Sequence, residues 1–315
     1  DSRRACASSL ASRRLRRIIR DMQVVVAGGT GFLGTALVTQ LRTDGHEVTV
    51  LTRHARRADQ YEWSAYGPHS GWVHVLEGAD AVINLAGAPI AMRWTAAHKR
   101  EMWNSRLRST RTLIAATRSV RRATAIFINA SAIGTYGDRG DEMLTEDSTP
   151  GSGFLASMGT AWEKETRSAP PQTRVVLLRT GIVLEKDGGA LPRMALPFRF
   201  FAGGPLGSGQ QYMSWIHRDD WTAMVSWALT SESVSGALNV TAPHPVTNLE
   251  FARTLGRVLR RPALLPTPAF ALRAVLVEMA DVIVTGQRVL PEKAHAFGFE
   301  FSHPKLEEAL RSILR

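Results

Sequence analysis

Seven consecutive residues, Gly28-Gly29-Thr30-Gly31-Phe32-Leu33-Gly34, carry the clearest chemical signal in the chain. Glycines at this spacing serve pyrophosphate binding: the first permits a tight turn, the middle one lets backbone N–H groups approach the phosphates, and the last lets a helix pack closely on the preceding strand. The flanks agree. Val24-Val25-Val26-Ala27 reads as a buried strand, and Leu33, Leu37, Val38 and Leu41 fall on one face of a helix. An anion held there faces the positive end of that helix. Read from Gly29 the string fits G-x-G-x-x-G, and from Gly28 it fits G-x-x-G-x-x-G. Gly28, Thr30, Gly31, Phe32, Leu33 and Gly34 are therefore expected to bind a dinucleotide, the alternative being an ordinary tight turn.

The following strand indicates which dinucleotide. Gly45-His46 ends the helix and Glu47-Val48-Thr49-Val50-Leu51 reads as a strand. Thr52 and Arg53 then lie where an NAD-specific protein sets an acid against the ribose hydroxyls. No acid stands there. Arg53, followed by Arg56 and Arg57, offers a guanidinium fork to the 2′-phosphate of NADP(H), the cofactor we expect; a solvated basic loop is the plainer alternative.

These residues need a scaffold that brings strand ends together. Ala81-Val82-Ile83-Asn84-Leu85-Ala86-Gly87 reads as a buried strand ending in small residues, so Leu85, Ala86 and Gly87 are expected against the cofactor. Thr95 can cap a long helix to about Ser119. Ala125 to Asn129 is the next strand, running into Ala130-Ser131-Ala132, and Arg174 to Arg179 is another, followed by Thr180. Strands alternating with helices predict a doubly wound parallel α/β sheet of the Rossmann type, with ligands beyond the strand C-termini, where Gly28, Arg53, Gly87, Ser131 and Thr180 all fall.

The order of these strings is similar to that of extended short-chain dehydrogenase/reductases. Asn84-Leu85-Ala86-Gly87-Ala88-Pro89-Ile90, Ser105-Arg106, Leu178 to Leu184, Gly203 to Gly209 and Gly286 to Pro291 resemble, more narrowly, an atypical "epimerase family" subgroup. The resemblance runs from Met22 to about Leu314. It implies a Rossmann domain, a small C-terminal substrate lobe, NADP(H), and oxidoreductase or epimerase chemistry on an unidentified small molecule. The superfamily uses a Ser or Thr with a Tyr-x-x-x-Lys pair, in which Lys lowers the Tyr pKa. Alignment on Trp162-Glu163 puts Gly153 at the Tyr position and Ser157 at the Lys position, so that pair is absent. Arg106 stands where many relatives carry a structural Asn, and the Ser position falls on Ser131 or Ala132. Ser131, Tyr136, His217 and Arg106 remain as candidate catalytic groups; each also has a plainer structural reading. His217 precedes Asp219, which suits the N-cap of a helix through Trp221, Met224 and Trp227. Because the dyad is missing, a non-catalytic NADP(H)-binding protein recognised by a partner stands as the second reading.

The chain has 315 residues, 44% of them hydrophobic, enough for a full core with a second lobe. Residues 1–21 hold seven arginines and two aspartates, so they carry +5 of the net charge of +11. That Arg-, Ser- and Ala-rich segment reads either as an upstream extension of a domain starting at Met22 or as a mitochondrial presequence remnant. The remaining charge is dispersed and no recognition motif accompanies it, so a nucleic-acid partner is not expected. The only cysteine, Cys6, lies in that segment, which removes disulfides and cysteine metal sites from the body and suits a reducing compartment, the cytoplasm by default. No metal site and no membrane partner are expected. The domain boundary is read after Leu184, with residues 185–315 as the second lobe and about 214–245 returning to the sheet. Glycines punctuate a loop-rich stretch up to Tyr212, read either as a lid or as an irregular packing segment, and Gly298-Phe299-Glu300-Phe301 reads as a strand. The apolar stretch from Ala263 to Val284 either closes over the pocket or forms a homodimer contact.

Overall fold

The computed structural model describes residues 21–66 and 71–314. The basic segment 1–20, with Cys6, lies outside the described residues. The first half of the chain runs β1 (Gln23–Ala27), α1 (Phe32–Thr43), β2 (Glu47–Thr52), β3 (Gln60–Glu62), β4 (Ala81–Asn84), α2 (Ala96–Ser119), β5 (Ile126–Ala132), β6 (Met143–Leu144) and α3 (Phe154–Glu165). It continues through β7 (Arg174–Thr180), β8 (Ile182–Leu184), α4 (Leu191–Arg199), β9 (Tyr212–Met213), β10 (Trp215–His217), α5 (Arg218–Thr230) and β11 (Gly236–Val240). The last part is β12 (Val246–Thr247), α6 (Asn248–Leu259), α7 (Ala269–Leu276), α8 (Met279–Val284), β13 (Arg288–Val289), α9 (Glu292–Ala296) and α10 (Leu306–Leu314).

Seven strands form one parallel sheet in the order β11-β7-β5-β4-β1-β2-β3. This is the doubly wound Rossmann arrangement expected from the sequence. Chain order reverses between β1 and β4, the switch point at which such sheets bind ligands. The period of two along β1 sends alternate side chains to opposite faces. Val24 and Val26 join Leu37 and Leu41 of α1 and Trp221 and Met224 of α5, whereas Val25 and Ala27 join Leu113 and Ile114 of α2. A central strand in a parallel sheet must be apolar on both faces, which is why β1 and β4 read as continuous apolar runs.

After Leu184 a separate apolar cluster gathers α4, α6 and α10 through Leu191, Phe198, Phe251, Leu255, Leu310 and Ile313. Two features depart from the sequence reading. The stretch read as loop-rich contains α4, with Pro192 in its first turn, where a missing N–H costs nothing, and Pro197 in its interior. Residues 298–301 form no strand. Phe299 instead packs edge-to-face on Phe301 and against Trp227, so the alternation that resembled a strand serves to bury two rings on the main core. Among the described residues no helix is long and apolar enough to cross a membrane.

Val277, between α7 and α8, has φ 53° and ψ −131°, a conformation that costs a β-branched residue about 1–3 kcal/mol. Val277→Gly should relieve more than the added chain entropy costs and raise Tm by about 2 °C in a calorimetric scan. A lower Tm would show that the valine is unstrained there.

Candidate functional site

The glycine turn brings backbone against backbone. Gly28 has φ +80°, and a Cβ on it would lie 2.9 Å from the Leu85 carbonyl carbon. At Gly34 a Cβ would lie 2.2 Å from the Gly28 carbonyl oxygen. Both positions therefore exclude side chains, and the turn is pressed between β4 and α1. Gly28 N–H donates to Leu51 O and Leu85 N–H to Ala27 O, which ties the turn to the ends of β2 and β4. Gly31 is the α1 N-cap and supplies no side-chain acceptor; the first turn holds no acid. By contrast α2 and α6 are capped by the hydroxyls of Thr95 and Thr247. The N–H groups of the first α1 turn, at Phe32, Leu33 and Gly34, are thus left for an external anion.

Thr30 and Thr52 share a hydrogen bond of 3.2 Å between their hydroxyls, which fixes the turn beside the β2 end. Arg53 follows, exposed, with no ion-pair partner among the described residues. The second lobe reaches the same edge: Gly188 and Gly189 lie so close to the Phe32 ring that a Cβ on Gly188 would be 2.3 Å from it. Arg193 of α4 donates to Ala91 O in the loop after β4. At the other side a cleft of about 360 Å³ is lined by Ala96, Lys99, Arg100, Trp103, Phe154 and Glu278. A cavity of about 510 Å³ lined by His244, Arg253, Arg257 and Lys305, among others, includes none of the glycine-turn residues.

The candidate catalytic groups occupy different settings. Ser131 is buried and its hydroxyl donates to Glu163 Oε1 at 2.6 Å. Glu163 forms a two-point pair with Arg179, at 2.9 and 2.8 Å. Arg179 in turn donates to the Tyr136 hydroxyl, which meets Asn239 Oδ1 at 2.7 Å and Thr145 O at 2.9 Å. Tyr136 is fully buried, and burial pushes its phenol above the usual range against the lowering pull of Arg179. Burial lowers the Arg179 pKa, but the hydrogen bonds and charge of Glu163 outweigh it and hold the value above the usual arginine range. Ser131 and Tyr136 are therefore brought together, through an ion pair that stitches α3, β5, β7 and β11, with both hydroxyls engaged by protein groups. Thr180 adds a hydroxyl that accepts from Trp221 Nε1.

His217 stands apart from them. It is the N-cap of α5, with Nδ1 accepting from Asp219 N–H at 3.0 Å, so the cap is this histidine and not Asp219. Asp219 sits in the first turn instead. Nε2 lies 3.3 Å from Ser312 Oγ, and the ring stacks on His303 at 3.9 Å. Ligand atoms of His217, Asp219 and His303 lie within 4.8 Å of one another, a grouping without a local signal because Asp219 and His303 are 84 positions apart. Both ring nitrogens of His217 already have protein partners. Burial and the neighbouring His303 lower its pKa below the ordinary histidine value, while Asp219, Asp220 and Glu185 oppose that shift.

Arg106 lies at the β4 end with no carboxylate partner among the described residues and with its buried Nε lacking an acceptor. Its guanidinium lies against Gly87 and over the Trp162 ring, and Nη1 donates to Met102 O. The α3 positions that face the β5 end are Leu155, Gly159 and Glu163: Leu155 meets Gly134, a Cβ on Gly159 would strike Thr135 Oγ1, and Glu163 holds Ser131. Gly153 is the helix N-cap at φ +97° and Ser157 is exposed. Inward spacing of four thus shifts the comparison by two residues, to Leu155 and Gly159, and neither carries a proton-transfer group.

With this geometry in hand, comparison with known proteins is informative. The model of the NAD dependent epimerase/dehydratase family matches residues 24–241. The chain belongs to that family. Residues 267–313 match a domain of unknown function, DUF1731. The chain is 42% identical to the chloroplastic epimerase family protein SDR39U1 homolog of Arabidopsis thaliana, over 94% of this chain and 87% of that one. It is 40% identical to the epimerase family protein YfhF of Bacillus subtilis, over 93% and 98%. Among solved structures, human epimerase family protein SDR39U1 with NADPH aligns with TM-score 0.85 and 36% identity, covering 93% of this chain and 99% of that one. The family uses NAD-type dinucleotides, and the uncapped α1 terminus with its glycine-rich turn fits one.

Breaking the buried pair should be costly. Glu163→Gln leaves Arg179 uncompensated and should lower stability by about 3–5 kcal/mol in denaturant titration; a loss below about 1 kcal/mol would mean the pair is solvated. The histidine cap makes stability pH-dependent. Its folded pKa lies below the unfolded one, so the contribution is complete above about pH 6.5 and is lost as pH falls through the lowered folded value. His217→Asn, which still caps but does not titrate, should flatten the fall of Tm below that pH. An unchanged pH profile would place the titration elsewhere.

Proposed function

We propose that the protein is an NADP(H)-dependent oxidoreductase or epimerase acting on a small molecule, with no Tyr-Lys proton relay. The observation that carries this reading is the anion-ready α1 terminus set beside Arg53 at the end of β2, where no acid competes for the ribose. The NADPH in the human SDR39U1 structure supports it. Phe32 and Leu33 N–H would hold the diphosphate, Thr30 and Arg53 the adenosine side, and Leu85 to Gly87 the floor. Nicotinamide, when bound, accepts or donates hydride. The side chains of the strand edge would exclude water and orient the substrate, and the segment after Leu184 would close over it through α4.

The engagement of Ser131 and Tyr136 by Glu163, Arg179 and Asn239 also favours a second reading, an NADP(H)-binding protein without turnover whose bound form is recognised by a partner. Following NADPH absorbance over a panel of carbonyl compounds and nucleotide sugars separates the two: substrate-dependent oxidation supports the enzyme, and its absence across the panel supports the binding protein.

Arg53→Asp should weaken NADP(H) binding by about tenfold to a hundredfold, the equivalent of losing about 1.5–3 kcal/mol, and affect NAD(H) much less. Equal losses for both cofactors in calorimetry would remove Arg53 from phosphate recognition.

A further inference from the structure

Arg106 poses a problem that the fold itself does not solve. The residue is 7% exposed. No carboxylate among the described residues pairs with it, and of its three guanidinium nitrogens only Nη1 has a protein acceptor, the Met102 carbonyl at 3.1 Å. Nε is buried with no acceptor. Burial is the sole cause of the lowering of its pKa, to about 10, so no neighbouring acid acts on it. An unpaired charge held out of water is strongly unfavourable and is tolerated where something else supplies the counter-charge.

The surroundings say where that counter-charge comes from. Gly87, at the C-terminal edge of β4, has no side chain to cover the guanidinium; a Cβ there would stand 3.2 Å from Arg106 Cζ. Along α2, Lys99, Trp103 and Arg106 recur at helical spacing on one face. Lys99 and Trp103 line the 360 Å³ cleft, and Arg106, one turn further along the same face, lies against Gly87 beyond the β4 end. Trp162 supports the guanidinium from behind, its ring 5.2 Å from Cζ. A planar, supported guanidinium with a free edge is a fork for a two-oxygen anion.

We propose that Arg106 receives a phosphate or carboxylate group of the bound ligand beside Gly87, at the C-terminal edge of β4. The group comes either from the cofactor diphosphate or from an acidic substrate; the proposal rests on the NADP(H) reading only for the first of these. Arg106 is then a ligand-binding residue, where a structural Asn would have given neither charge nor fork.

Arg106→Gln and Arg106→Lys test this by calorimetry with NADPH and NADH, and by thermal shift with inorganic phosphate and malonate, each added to the free protein and to the NADPH complex. Without ligand, Arg106→Gln should melt no lower than the wild type, because it removes an unpaired buried charge. If the anion is the diphosphate, the variant loses tenfold or more in affinity for NADPH and NADH alike, unlike Arg53→Asp. If it belongs to the substrate, both cofactors bind normally while the wild-type thermal shift with phosphate or malonate is lost. In either case Arg106→Lys, which keeps the charge without the fork, should recover part of the effect and covers failure of the first variant to fold. Wild-type cofactor affinity and wild-type anion shifts in both variants would overturn the proposal. A wild type that binds neither nucleotide would sink the NADP(H) reading, while the Arg106-dependent anion shift of the free protein would still decide this one.

Discussion

Close approach of backbone to backbone at the glycine turn is the constraint on which the site depends. Side chains at Gly28 or Gly34 would run into Leu85 or into the turn itself, so β1, β4 and α1 can converge only because those positions are bare. Convergence then determines the electrostatics. It aims the first turn of α1 outward with its N–H groups uncapped, and it brings the β2 end within a hydroxyl bridge of the turn. Phe32 extends the arrangement to the second lobe, where Gly188 and Gly189 pack on its ring. The anion-ready edge is thus a consequence of the close approach of three strands and a helix.

The polar residues at the neighbouring strand ends perform another task. Ser131, Glu163, Arg179, Tyr136 and Asn239 form a continuous chain of hydrogen bonds around a buried ion pair, and Glu146 extends it to the backbone of Asn239 and of Lys293. A network like this is stable only when fully satisfied, because each member left unpaired in low dielectric is costly. It secures β5, β7 and β11 to α3 and to the first turn of α9. The Tyr136 hydroxyl both donates and accepts within this network, which makes it a poor participant in proton transfer, while the guanidinium groups of Arg53 and Arg106 have no carboxylate partner among the described residues.

How much of this was legible beforehand depended on the range of the interaction involved. The sheet, α1, the Thr95 cap and the limits of α2 follow from periodicity and capping, which are local. The inward-facing residues of α3 were not readable: alignment on Trp162-Glu163 selected Gly153 and Ser157, whereas the helix turns Leu155 and Gly159 inward. Facing direction depends on the packing of α3 against β5, which a string of letters does not contain. The Ser131-Glu163-Arg179-Tyr136 connection, the His217 stack on His303 and the absence of a counter-ion for Arg106 are all contacts between distant segments. Phe299 and Phe301 misled for a related reason, since a two-residue alternation serves ring packing as readily as strand pairing.

The central claim is that the turn, the uncapped helix and Arg53 together form an NADP(H) site. A crystal structure of this chain grown with NADPH tests it most directly. Diphosphate oxygens hydrogen-bonded to the N–H groups of Phe32 and Leu33, with the 2′-phosphate against the Arg53 guanidinium, is the predicted result. A diphosphate bound away from the α1 terminus, or a 2′-phosphate in place with Arg53 turned to solvent, would contradict it.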